Sequence, residues 1–67
     1  MHITINGRPE LLDGATTTLR QLAESHSIPP AGTAIALNGK VVSADKWDVT
    51  VLNEGDSLIV ISAAYGG

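Results

Sequence analysis

The sequence predicts an α+β fold, a mixed sheet of four to five strands with one main helix packed on one face. Three observations point to it. Two apolar-Asn-Gly-basic turns, Ile5-Asn6-Gly7-Arg8 and Leu37-Asn38-Gly39-Lys40, each mark a hairpin, because Asn-Gly supplies the two positive φ angles of a type I′ turn. One segment, Leu19 to His26, has helical periodicity behind a capping signal. The last strong pattern, Leu58-Ile59-Val60-Ile61, is an unbroken bulky apolar run, which points to a central strand covered on both faces.

Met1 to Ile5 alternates, with Ile3 and Ile5 on one side and His2 and Thr4 on the other. Beyond Asn6-Gly7 the return strand is Arg8 to Leu12, and Pro9 removes a ladder donor, which assigns that strand to a sheet edge. Asp13-Gly14 breaks it. Thr18, with Gln21 three residues on, forms a capping box, and Leu19, Leu22 and Ala23 then share a face opposite Arg20, Gln21 and Glu24. Ser27-Ile28-Pro29-Pro30 ends the helix, since a proline disfavours helical geometry in the residue before it. Thr33 to Leu37 is a third strand and Lys40 to Val42 a brief fourth. Ser43 is placed to cap a single helical turn carrying Trp47, Asn53-Glu54-Gly55-Asp56 turns the chain, and Ser57 to Ser62 is the final strand.

In this register Ile3, Ile5, Leu19, Leu22, Ile35, Leu37, Leu58 and Val60 fill the core. Alternation sends Ile59 and Ile61 to the face without the helix, beside Ala36. Exposed isoleucines on a sheet mark a docking surface, unless Val49, Val51 or Leu52 covers them.

At 67 residues the chain makes one small domain, and such a domain buries only about 60% of the surface its unfolded form exposes. It has no cysteine, hence no disulfide framework, thiolate metal site or thiol nucleophile, which fits a reducing cytoplasmic setting. Neither a signal-peptide pattern nor a bilayer-length apolar span is present, so no membrane partner is expected. The formal charge of −3, with Arg8, Arg20, Lys40 and Lys46 dispersed, argues against nucleic acid.

The candidate chemistry lies at the carboxyl end. Only Ser62-Ala63-Ala64-Tyr65 separates the final strand signal from Gly66-Gly67, so residues 1–62 read as the domain and 63–67 as a flexible tail. Without Cβ atoms the glycines suit insertion into a narrow active-site channel. A carboxyl end of this kind is ionised at neutral pH, since an α-carboxyl titrates near about 3.5, and a carboxylate is a poor electrophile. It must be activated before it can take part in acyl transfer.

The ordered set Ile5-Asn6-Gly7, Leu37-Asn38-Gly39-Lys40-Val41-Val42, Trp47, Val51-Leu52, Glu54-Gly55-Asp56 and Gly66-Gly67 resembles the ThiS-type sulfur carrier proteins of thiamine biosynthesis, over the whole chain. The resemblance implies the β-grasp, ubiquitin-like roll and a protein that ferries sulfur as a C-terminal thiocarboxylate on Gly67. It implies no bound cofactor. ATP is used by an E1-like adenylyltransferase, a persulfide donor of cysteine desulfurase or rhodanese type supplies sulfur, and thiazole synthase receives it. Gly66 and Tyr65 become tail-recognition residues, and Ile59, Ile61 and Ala36 partner-docking residues. Tyr65 is bulkier than the family pattern at this place: either a partner channel widens there, or Tyr65 sits at its mouth with the ring against apolar surface and the hydroxyl in water, or the ring folds back on the domain.

No catalytic residue is assigned, because the chain reads as a protein substrate and not an enzyme. His26 extends the helix's apolar face as a partly buried core-edge residue, and His2 faces away from the core, so the two do not pair as a metal site. Ser25, His26 and Asp45 lack any nucleophile-elbow context. Two other readings share the fold: a carrier serving molybdopterin or another metabolite, and a ubiquitin-like modifier or interaction module.

Overall fold

The computed structural model describes residues 1–14 and 16–62. Across Asn6-Gly7, strand β1 (His2–Ile5) pairs antiparallel with β2 (Arg8–Leu11). Both turn residues have positive φ, 52° and 80°, the geometry that Asn and Gly adopt with least strain. Further on, Asn38-Gly39 joins β3 (Thr33–Leu37) to β4 (Lys40–Val42) in the same way, with φ of 50° and 88°. The final strand, β5 (Ser57–Ser62), lies between the hairpins, parallel to β1 and antiparallel to β3. The result is one mixed five-stranded sheet in the order β2-β1-β5-β3-β4, with Pro9 on an edge strand.

Helix α1 (Leu19–Ser25) begins with the expected capping box: Gln21 N–H donates to Thr18 Oγ1 at 3.2 Å, and Gln21 Oε1 accepts from the Thr18 N–H at 3.0 Å. It stops one residue earlier than the sequence pattern suggests, and a Schellman motif rather than the prolines ends it. Ile28 N–H donates to Ala23 O at 2.8 Å and Ser27 N–H to Glu24 O at 3.2 Å, with Ser27 itself at φ 56°. A side chain in the left-handed region is strained by about 1–2 kcal/mol, part of which a glycine recovers despite its greater freedom when unfolded. Ser27→Gly is therefore expected to stabilise the fold by about 1 kcal/mol, a rise of about 4–8 °C in Tm on thermal melting.

The core joins Ile3, Leu12, Leu19, Leu22, Ala23, Ile35, Trp47, Leu52 and Leu58. Ile5, Leu37 and Val60, expected inside, are half-buried at its margin. Their places at the centre are taken by residues from the irregular half of the chain. Trp47 rides on a 3-10 helix (Ala44–Val49), with its Nε1–H donating to Val42 O at 3.0 Å. Ser43 occupies the position before that helix, but its side chain makes no capping bond. The chain at 50–52 then pairs with the residues leading into α1, through Leu19 N–H to Thr50 O and Leu52 N–H to Thr17 O. This isolated bridge, Thr18 opposite Val51, turns Leu52 into the core.

Candidate functional site

Among the described residues no element covers the face of the sheet away from α1, which corrects the expectation that β5 is buried on both sides. The β5 strand is central, but of its apolar run only Leu58 and Val60 point toward the helix. Ile59 and Ile61 are 42% and 57% exposed. Neither Val49 nor Val51 covers them, both being exposed themselves, and Leu52 belongs to the core. The register sets Ala36 opposite Ile59, Ala34 opposite Ile61, and Val41 opposite Ala36. Because directly opposed residues share a face, these five side chains form one uncharged patch. Two alanines keep its middle low, and Val41, 72% exposed, stands at its rim.

The β5 strand under the patch is held by side-chain hydrogen bonds from both hairpins. Asn38 of the second turn accepts from Ser57 N–H through Oδ1 at 2.9 Å and donates through Nδ2 to Asp56 Oδ1 at 3.0 Å. Buried Asp56 also accepts from Asn53 N–H at 2.8 Å, closing the turn that precedes β5. On the other side, Asn6 Oδ1 accepts from Val60 N–H at 2.8 Å. Beyond turning the chain, each Asn-Gly pair thus secures the sheet, its asparagine reaching from the hairpin to hold the central strand. The repeated motif is visible in the sequence, but nothing local in it signals that both side chains converge on β5.

The first strand is tied to the same turn. His2 N–H donates to Glu54 Oε1 and Oε2, both at 3.0 Å, and Gly55 N–H donates to His2 O at 2.8 Å. The backbone bond from His2 foremost holds the Glu54 carboxyl below its ordinary range. His26 lies at the C-terminal end of α1, its side chain about one-third exposed, with Nε2 3.7 Å from Glu10 Oε1 and Nδ1 3.1 Å from Ser25 Oγ. The His2 ring in turn has Nδ1 3.3 Å from Glu54 Oε2, so among the described residues each histidine side chain has one carboxylate neighbour. Among the described residues no group of three or more metal-ligating side chains comes together, and no helix is long and apolar enough to cross a membrane.

The structure thus brings Ile59 and Ile61, on the strand that leads to the carboxyl end, together with Ala36 of the neighbouring β3. Tyr65, Gly66 and Gly67, with the rest of the expected tail 63–67, lie outside the described residues. Against this geometry, the sequence matches the model of the ThiS family over residues 3–67. The chain belongs to the ThiS family. Among solved structures it is similar to a thiamine biosynthesis protein (ThiS) from Geobacter metallireducens, whose crystal structure is 28% identical with a TM-score of 0.81, covering 92% of this chain and 93% of that one. The solution structure of a thiamine biosynthesis protein from the same organism is 27% identical with a TM-score of 0.76, covering 91% and 81%. No curated protein matches the chain significantly. The mixed sheet with its crossing helix is the β-grasp fold shared with these ThiS structures.

Proposed function

We propose that this ThiS-family chain is a sulfur carrier for thiamine biosynthesis, loaded as a thiocarboxylate on Gly67. The observation that carries the reading is the family match, which runs through Gly66-Gly67 to residue 67. The bare patch on the strand leading to those residues supports it, since a carrier needs a surface by which each partner holds the body while working on the end.

The chemistry follows from the terminal group. The Gly67 carboxylate attacks the α-phosphorus of ATP on an E1-like adenylyltransferase, pyrophosphate leaves, and an acyl adenylate forms. A persulfide sulfur from a desulfurase- or rhodanese-type donor then attacks the acyl carbon, and the bond to AMP breaks. A thiol reduces the remaining S–S bond and leaves the sulfur on Gly67, for delivery to thiazole synthase. ATP is consumed by the partner, and the carrier acts as a protein co-substrate, confining a reactive sulfur to a protein address as group carriers do.

Deleting Gly67, or extending the chain by one alanine, is expected to abolish sulfur loading while leaving the thermal melt unchanged. Loading is followed by mass spectrometry of the full chain. A variant that still gains sulfur would show that the chemistry is elsewhere.

A further inference from the structure

Among the described residues, one stretch of β5 has an open backbone edge. Parallel pairing with β1 stops at Ile5 opposite Leu58. Up to that point the ladder is regular: Thr4 N–H donates to Asp56 O at 3.0 Å and Asn6 N–H to Leu58 O at 2.8 Å. The chain then turns away at Gly7. The next donor on this side, Val60 N–H, is met by the Asn6 side chain, whose Oδ1 stands at 2.8 Å where a strand carbonyl would be. By the alternation of a strand, Val60 C=O and Ser62 N–H point the same way, and among the described residues no strand lies beside them.

Val60 and Ser62 also line a cleft of about 150 Å³, walled by the loop after α1, from His26 to Pro29, and by Thr33. Thr33 and Ser62 are opposed in the β3–β5 register. Their hydroxyl oxygens are buried and have no hydrogen-bond partner among the described residues, although buried polar groups are normally satisfied. Open backbone groups and buried hydroxyls therefore meet at one place, next to the apolar patch.

We infer that Val60 to Ser62 is a strand-addition site, which takes an extended segment of the activating enzyme running parallel to β5 where β1 would have continued. The inference rests on the carrier reading, which supplies a partner that must grip this end. One residue of that segment, set opposite Ile61, takes both open groups, donating its N–H to Val60 O and accepting from Ser62 N–H. Paired residues share a face, so this residue lies beside Ile61 on the patch and is apolar. Its neighbours point into the cleft, where the two hydroxyls select a hydrogen-bonding side chain such as Asn or Gln. A second copy of the chain is the poorer occupant: of its own edges, β2 carries Pro9, which lacks a donor, and β4 is three residues long.

Ser62→Pro removes the open donor without touching the bonds from β5 to β3, which alternation places on residues 57, 59 and 61. Ser62→Ala keeps the donor and removes only the hydroxyl. Calorimetric titration of the cognate adenylyltransferase with the full-length chain is expected to show Ser62→Pro binding roughly five- to tenfold more weakly, and Ser62→Ala within about threefold of wild type. Wild-type affinity for a folded Ser62→Pro overturns the strand-addition site, and if the wild type is still loaded with sulfur the carrier reading survives. A wild type that neither binds nor loads overturns both. Where Ser62→Pro does not fold, hydrogen exchange of the wild type decides: the Ser62 amide is expected to slow at least about tenfold in the saturated complex, and an unchanged rate overturns the site.

Discussion

Replacing Trp47 by alanine is expected to leave the chain largely unfolded at physiological temperature. The side chain is 1% exposed and is the largest of the fully buried residues. Truncating a buried tryptophan costs about 3–5 kcal/mol. Here it also strands the Val42 carbonyl that accepts the indole N–H. At about 0.05–0.15 kcal/mol per residue, a domain of this length holds only about 3–10 kcal/mol in total. Far-UV circular dichroism on heating should show Tm lowered by about 12 °C or more, or no cooperative transition at all. A shift below about 5 °C would mean that the 3-10 helix is an ornament and the core closes without it.

The second large effect concerns binding. Ile59→Asp and Ile61→Asp place a charge on the uncharged patch, on a face that no element of the chain covers among the described residues. Folding should change by about 1 kcal/mol or less, the range of strand propensity at a half-exposed position. Affinity for the adenylyltransferase should fall by about 30-fold or more, the effect of losing an interface anchor worth about 2 kcal/mol. Denaturant melts and calorimetric titration separate the two. Unchanged affinity with an intact fold would remove the docking role from this face, and outright unfolding would show that the face is packed in solution.

What the sequence disclosed, and what it hid, follows the range of the forces involved. Both hairpins and the start of α1 are legible because Asn-Gly geometry and the Thr18–Gln21 capping box act within four residues. The placement of Ile59 and Ile61 follows from alternation once β5 is central. Their uncovered state does not, since the apolar run of residues 58–61 also fits a strand buried on both sides. Trp47 and Leu52 carry no periodic signal, because long-range pairing of residues 50–52 with 17–19 fixes their burial. Pro29 and Pro30 point to the end of α1, whereas a strained Ser27 does the stopping. The convergence of Asn6 and Asn38 on β5, and the cleft beside Ser62, arise only when both hairpins flank one strand. The proposed chemistry at Gly67 rests on sequence and family, to which the fold contributes the surface that a partner would hold.

Its most direct test is the intact mass of the full-length chain after incubation with its cognate adenylyltransferase, ATP, a persulfide donor and a thiol reductant. The expected result is a gain equal to the difference between sulfur and oxygen, carried by the carboxyl-terminal fragment that contains Gly67. A mass that does not change, under conditions that load a related carrier, would contradict the assignment.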